Sequence, residues 1–592
     1  MIEIQQKLNT IRNWLTEQNL HAFIIPHDDE YMSEYLPPQN ERLAWATGFT
    51  GSAGVAVITR DKASIFVDGR YTVQVKEQVP AEQFEILHLY DNPYMNWLKS
   101  NLPGKAGIGY DARLHTGFWL RSVSKSLTNG HSLIPIKENP IDVNWENRPS
   151  PKGDKAILLD EKFTGKSSAE KRNEIAKTLE KNKCDAAFIT ALDSICWLLN
   201  IRGNDVPCNP VLLSHVLINA KGDVKLFIDE EKIPDGFNVH VGDGVTKLPP
   251  EKLKDALLNL KGKTIGFDST KGNAWAAELI KMSGAKVKNL TDPCSLPKAC
   301  KNEVEAQGMR DCHIRDGVAV CRFLAWVDRQ VNSGNLLDEG ILSDKLESFR
   351  KDGKMFMGLS FDTISAAAGN AAMCHYNHTN QKTPGKLEQD SIYLVDSGGQ
   401  YMDGTTDITR TISVGTPNAD IKKAFTLVIK GHIALGQAVF PKGTSGQQLD
   451  PLARQFLWQN GMDYDHGTGH GVGHFLNVHE GPQGVGKKGS AVPLQEGMVI
   501  SNEPGYYEAD KFGFRCENLV LVVQSDSNGS LETLGFENLT MVPFDTKLLD
   551  LDLITPSEMK WMNDYHQEVF DKISPHLSGE DLDWLKIQTR RI

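Results

Sequence analysis

Near the start of the chain, Ile4, Leu8, Ile11 and Leu15 recur at the spacing that places side chains on one face of a helix. They lead into residues 20–25, Leu-His-Ala-Phe-Ile-Ile, a short apolar run that reads as a buried strand. Near residue 170 the same phrase returns, with Ile175 and Leu179 at helical spacing before residues 184–189, Cys-Asp-Ala-Ala-Phe-Ile. Residues 197–203, Trp-Leu-Leu-Asn-Ile-Arg-Gly, then stand where the first copy has Trp-Ala-Thr-Gly-Phe-Thr-Gly at 45–51. The pattern predicts two similar α/β domains in succession. Polar, proline-bearing stretches at 144–153 and 292–297 mark the boundaries, giving domains 1–150, 151–300 and 301–592. The third domain opens with a helical pattern from Lys301 to about Val331.

Further along, apolar runs carry acids. Residues 393–410 read Tyr-Leu-Val-Asp396-Ser-Gly-Gly-Gln-Tyr-Met-Asp-Gly-Thr-Thr-Asp407-Ile-Thr-Arg, which predicts two adjacent strands joined by a hairpin, with Asp396 facing Asp407. Three further candidates follow in glycine-rich or strand-like sequence: His470 in His-Gly-Thr-Gly-His-Gly-Val-Gly, Glu503 in Ser-Asn-Glu-Pro-Gly-Tyr-Tyr, and Glu517 in Phe-Arg-Cys-Glu-Asn-Leu-Val. One imidazole and four carboxylates form a hard, oxygen-dominated ligand set. Four carboxylates a few ångströms apart cannot all stay ionised without cations, and two divalent ions supply the four positive charges. Two ions about 3.5 to 4 Å apart can hold a bridging hydroxide and polarise a carbonyl. Mn²⁺ suits oxygen ligands best, with Zn²⁺ or Co²⁺ as alternatives.

These phrases, together with His-Phe-Leu-Asn-Val-His-Glu-Gly-Pro at 474–482, resemble in order and spacing the signature of the Xaa-Pro aminopeptidases, in the long three-domain cytosolic form of aminopeptidase P. The resemblance spans the chain and is densest from about Ser360 to Pro543. It departs at Cys516, where the family more often has an aliphatic residue. It implies an α/β (α+β) protein whose third domain has the pita-bread fold, a curved antiparallel sheet backed by helices. It also implies removal of the first residue from peptides with proline second, by a hydroxide bridging two metals, in a cytoplasmic homodimer. Asp396 would bind one metal, Asp407 and Glu517 would bridge both, and His470 with Glu503 would complete the second. Glu503 would also act as general base. His375 and His479 would contact substrate and stabilise the oxyanion, His466 would line the proline pocket, and Arg70 would reach the peptide. Each has a plainer reading: a hydrogen-bonded core histidine, a loop-holding histidine, and for Arg70 a salt bridge at the end of a sheet.

Composition narrows the partners. The chain has 592 residues, 40% hydrophobic and 24% charged, an ordinary globular balance with room for three or four domains. Its net charge, 64 − 76 = −12, and the lack of a basic run argue against nucleic acid. No stretch of 18 apolar residues and no signal-peptide core occur, so a membrane is not expected and the chain reads as cytoplasmic. Nine scattered cysteines without a Cys-x-x-Cys pair point to reduced thiols. Residues 481–488 mimic a phosphate loop, but Lys488 replaces its Ser or Thr, and they are expected to form a plain loop. The run 229–232 is expected to be a solvated turn. Two other functions share the ligand set or the fold: a dipeptide-specific prolidase, and a non-catalytic peptide- or histone-binding module. The second should have lost ligands, and all five are present.

Overall fold

The repeat folds as two sheets of the same design. In the computed structural model, which describes residues 2–488, 490–509, 511–525 and 529–592, strands β1 (Ala22–Pro26), β2 (Val55–Thr59), β3 (Ala63–Val67), β4 (Glu85–His88), β5 (Gly107–Tyr110) and β6 (Ser132–Pro135) form a sheet in the order β4-β3-β2-β1-β5-β6. Strands β7 (Ala186–Ile189), β8 (His215–Asn219), β9 (Val224–Phe227), β10 (Val245–Leu248), β11 (Thr264–Phe267) and β12 (Lys286–Asn289) form a second in the order β10-β9-β8-β7-β11-β12. The second order is the first with six added to every strand. Parallel and antiparallel pairings also correspond throughout.

The apolar faces that announced the repeat are buried. Helix α1 (Ile2–Glu17) buries Leu8, Ile11 and Leu15, and α2 (Ser168–Lys181) buries Ile175 and Leu179. A short helix in each copy ends in a left-handed residue, Gly48 (φ 83°) in the first and Asn200 (φ 52°) in the second, the two residue types that tolerate this cap best. The turn at 229–232 departs from expectation at one residue. Asp229 caps a 3₁₀ turn, but Lys232 is buried and paired with buried Asp205, because an ammonium out of water needs a carboxylate partner.

Contacts divide the chain into two units, Met1–Leu158 with Lys166–Ser295, and Leu159–Gly165 with Leu296–Ile592. The second unit begins with α3 (Glu303–Asn332), whose capping box pairs Asn302 with Glu305, followed by α4 (Glu339–Lys351). Strands β13 (Ile364–Ala367), β14 (Ser391–Ser397) and β15 (Ile408–Val414) form an antiparallel sheet. Helices α5 (Ala419–Gly436) and α6 (Gly446–Trp458) flank β16 (Phe440–Pro441) in the chain. That strand joins β17 (Gly469–Gly471), β18 (Glu480–Val485), β19 (Val499–Asn502), β22 (Asn518–Ser525) and β23 (Thr533–Asn538) in the order β16-β23-β22-β19-β17-β18. A separate hairpin, β20 (Gly505–Glu508) and β21 (Phe512–Arg515), lies between β19 and β22 in sequence. Of the loop expected at 481–488, residues 481–485 instead belong to strand β18, whose antiparallel pairing with β17 takes up the backbone groups, while 486–488 lie outside it.

The core of this unit gathers Phe323, Leu324 and Val327 of α3 and Phe425, Val428 and Ile429 of α5 with Ile392 and Leu394 of β14. Helices α5 and α6 meet at Gly431, where a Cβ would lie 2.1 Å from the Ala453 carbonyl oxygen, so only glycine fits. Helices α3 and α4 are joined by a buried ion pair. Arg350 Nε is 2.7 Å from Asp316 Oδ1, its Nη2 is 3.1 Å from Oδ2, and the Tyr401 hydroxyl donates to Oδ1 at 2.8 Å. Burial would raise the Asp316 pKa, but Arg350 outweighs it and holds the carboxylate below its usual range. Arg350→Met should cost about 3–5 kcal/mol, because it strands Asp316. A urea midpoint unchanged in that variant at pH 7 would contradict this. The deficit should shrink as pH is lowered, because the stranded Asp316 of the variant takes up a proton in the folded state before the unfolded chain does, and wild type loses the contribution of the pair once pH falls below the unfolded carboxylate range.

Candidate metal centre

The five candidate ligands leave five places in the chain and converge. Asp396, near the end of β14, is paired in register with Thr409 of β15, and Asp407 directly precedes β15. The two acids thus stand at the same end of neighbouring antiparallel strands, as their sequence pattern predicts, but Asp396 is opposite Thr409 and not Asp407, and the connection holds two further short strands, Gly399–Tyr401 and Gly404–Thr405, of a different sheet. His470 is the middle residue of β17, where the pairing with β18 is irregular, and its Nδ1–H donates to the Gly471 carbonyl at 2.9 Å. That bond leaves Nε2 as the free ligand atom, 3.4 Å from both Asp407 Oδ2 and Glu503 Oε1. Glu503 follows β19 and Glu517 precedes β22. One ligand atom from each of Asp407, His470 and Glu517 lies within 4.8 Å of the others.

Electrostatics show what the cluster lacks. Burial, with the repulsion of Asp407 and Glu503, pushes Asp396 up to about 6 even though Arg515 pulls it down. Burial also raises Glu503, and raises Glu517 well above its ordinary value, with Asp407, Glu503 and Asp396 adding to the latter. Burial alone would lower His470, but the hydrogen bond to Asp407 and the charges of Glu503 and Asp407 push it up to about 9. Asp396 Oδ1 and Glu517 Oε1 are buried with no hydrogen-bond donor among the described residues. Two orphaned carboxylate oxygens beside an imidazole oriented through its other nitrogen are suited to hard divalent ions.

The sequence did not single out the residues that orient these ligands. Arg515 is buried beside the cluster: its Nη2 donates to Asp396 Oδ2 at 2.5 Å, its Nε to Thr409 Oγ1 at 3.1 Å, and its Nη1 to the Tyr507 hydroxyl at 2.7 Å. Thr409 in turn donates to Glu517 Oε2 at 2.8 Å, and Ser501 donates to Glu503 Oε1 at 3.1 Å. Arg515 changes the charge balance. Four carboxylates and one guanidinium give −4 + 1 = −3, so two divalent ions leave +1 instead of neutrality, which favours a further anionic ligand. An arginine inside the apolar run at 512–516 was the available signal, since a buried guanidinium needs a partner.

The other predicted residues are placed unequally. The His479 ring lies 4.3 Å from that of His470, edge to face, and its charge acts on Glu503. His466 is half-buried and takes part in a directed chain. Its Nδ1–H donates to the Gly467 carbonyl at 2.8 Å, so its Nε2 accepts from the Tyr507 hydroxyl at 2.9 Å, which itself accepts from Arg515. Thus His466 is tied through two groups to Asp396. His375 is half-buried in the turn after the 3₁₀ segment Ala368–Ala372, which lies against the β20–β21 hairpin; a Cβ on Gly513 would be 1.9 Å from the Ala371 carbonyl oxygen. Glu339 anchors that loop, accepting from the backbone of Ala367 and Gly385 and from the side chains of Asn370 and Tyr376 at 2.7–2.9 Å. Arg70 belongs to the other unit, where it forms a sheet-end pair with Asp68 at 2.8 Å and lies 3.9 Å from Glu34. Cys516 is fully buried, and burial pushes its thiol up to about 12, which makes it packing behind Glu517 and not a reactive group.

A full carboxylate–imidazole set on antiparallel sheets backed by helices defines a metallopeptidase with the pita-bread fold. The description "Metallopeptidase family M24" matches residues 307–524, and its C-terminal region matches 532–592. "Creatinase/Prolidase N-terminal domain" matches twice, at 7–142 and 147–305. The probable Xaa-Pro aminopeptidase P of Paracoccidioides brasiliensis (strain Pb03) is 41% identical over 616 residues, covering all of both chains. That of Laccaria bicolor is 41% identical, covering 99% of this chain and 93% of its own. The crystal structure of the X-prolyl aminopeptidase from Caenorhabditis elegans, described as a cytosolic enzyme with a di-nuclear active site, superposes with a TM-score of 0.96 at 33% identity over all of both chains. The Xaa-Pro dipeptidase of Bacillus anthracis shares the fold over 64% of this chain, with a TM-score of 0.51 at 22% identity. The chain belongs to metallopeptidase family M24 and, within it, to the Xaa-Pro aminopeptidases P.

Proposed function

We propose that the protein is a metal-dependent aminopeptidase that releases the N-terminal residue from peptides with proline in second position. The observation that carries this reading is the grouping of Asp407, His470 and Glu517, with Glu503 beside His470 and Asp396 within the same set of interacting charges, in a chain that matches Xaa-Pro aminopeptidases P along its whole length. Asp396, Asp407, His470, Glu503 and Glu517 would hold the two ions. When bound, two divalent ions would lower the pKa of a water nucleophile and polarise the scissile carbonyl. Glu503 Oε1, steadied by Ser501, takes up and passes on the proton released. His479 and His375 donate to the oxyanion. Mn²⁺ fits the four carboxylates best, ahead of Zn²⁺ or Co²⁺.

His466, fixed by Tyr507, would line the pocket for the proline ring, and Arg70 would reach the peptide. A dedicated pocket is needed because an Xaa-Pro bond has no N–H for a strand-like backbone grip. Replacing the substrate's proline by alanine should lower kcat/KM at least about tenfold, the discrimination a shaped apolar pocket gives. Equal hydrolysis of Xaa-Pro-Xaa and Xaa-Ala-Xaa peptides would eliminate such a pocket. Cleavage of tripeptides and tetrapeptides separates this activity from that of a dipeptide-specific prolidase, and the pair of N-terminal sheets favours the longer substrates.

The three-domain division at 1–150, 151–300 and 301–592 is supported by the separate family matches. No described helix is long and apolar enough to cross a membrane. A cytoplasmic location is supported by the C. elegans enzyme being described as cytosolic. A homodimer, testable by light scattering, and the absence of nucleic-acid partners complete the reading.

A further inference from the structure

Two of the proposed ligands, Glu503 and Glu517, directly follow Asn502 and Cys516, and the backbone carbonyls of those two residues meet at one imidazole. His432, on α5 and fully buried, has its Nδ1 3.0 Å from the Asn502 oxygen and 3.2 Å from the Cys516 oxygen. Both neighbours are acceptors, so Nδ1 carries the proton and donates a three-centre hydrogen bond. The contact is reciprocal, since Asn502 Nδ2 donates to the His432 carbonyl at 2.9 Å. The same backbone is fixed on its other side: Glu503 N–H donates to the Thr468 carbonyl at 2.8 Å, and Cys516 N–H to the Pro504 carbonyl at 3.2 Å.

We propose that His432 is a positioning residue for the metal centre: its Nδ1–H holds the two ligand-bearing segments, 502–503 and 516–517, at the separation the ions require. This rests on Glu503 and Glu517 being ligands. The remainder of the ring argues that the donor is what the site uses. Nε2 has no hydrogen-bond partner among the described residues, and the ring packs edge-on against Phe544 and Trp561, at 5.1 and 5.9 Å between centroids. An unpaired buried polar atom costs about 1–3 kcal/mol, a penalty that phenylalanine in the same apolar pocket would not carry. Burial, reinforced by the nearby charge of Arg410, pushes His432 down to about 3, so the ring stays neutral.

Three variants separate the donor from the bulk. His432→Asn keeps an N–H near the Nδ1 position, His432→Gln moves it toward Nε2, and His432→Phe keeps the ring without any donor. Mn²⁺ affinity is read by competition with a chromophoric chelator, beside the thermal midpoint of each metal-free protein. The Phe and Gln variants should bind Mn²⁺ about 10–100-fold more weakly, the usual cost of losing an orienting partner, while Asn stays within roughly threefold of wild type. The metal-free Phe variant should melt close to wild type, because relief of the unpaired Nε2 offsets the loss of the donor to the two carbonyls. Wild-type affinity in the Phe variant, or an Asn variant as weak as Phe, would overturn the positioning role and leave packing alone. If wild type itself took up no Mn²⁺, the ligand assignment would fail and this role with it.

Discussion

Dialysis against a chelator should abolish peptide hydrolysis, and Mn²⁺ should restore it more fully than Zn²⁺ or Co²⁺. The reason is the charge and proton content of the cluster: without cations, Asp396 is raised to about 6, Glu503 and Glu517 are raised, and His470 is raised to about 9. Ions must displace those protons, so uptake at pH 7 should release protons, the raised His470 foremost. Calorimetry in buffers of different ionisation enthalpy measures that release. Because protons compete for the same oxygens and for Nε2, affinity should weaken as pH falls. Binding should also stabilise the fold by about 2.7 kcal/mol at a free ion concentration a hundred times Kd. Full activity in a sample shown by elemental analysis to be metal-free would end this account.

The second large effect divides two neighbouring histidines. His479→Ala should lower kcat by about 10² to 10³ with metal content unchanged, because it removes a donor to the developing oxyanion and no coordination bond. His470→Ala should instead weaken binding of the second ion, since the imidazole beside Asp407 and Glu503 is gone. The rings are only 4.3 Å apart, so the contrast tests chemistry and not location. Equal loss of metal in both variants, or an active His479→Ala enzyme, would show that the roles are assigned wrongly.

Much of this was legible along the chain because the signals are local. Helical spacing and short apolar runs are local features of the chain, and they gave α1, β1 and their second copies, along with the full run of α3. The candidate ligands were legible because acids and a histidine inside glycine-rich turns and apolar strands have few other uses. The glycines and proline of 481–488 suggest a loop, since such residues usually punctuate sequence, and only the pairing partner β17 makes 481–485 a strand. Lys232 was read as solvated because its neighbours are acidic and polar, whereas the partner that buries it, Asp205, lies 27 residues away.

By itself, the sequence determined the duplicated α/β design, the antiparallel pair beside Asp396 and Asp407, the five candidate ligands and the family they point to. Each depends on residues close together in the chain or on a long motif. Tertiary structure alone decided how the ligands are held: Arg515 reaching Asp396 across 119 positions, Thr409 reaching Glu517 across 108, and His432 bridging the carbonyls before Glu503 and Glu517 from 70 and 84 residues away. Hydrogen bonds of that span leave no periodicity in sequence. They are set by how helices and sheets pack, and a buried donor shows its purpose only when its acceptors are in place.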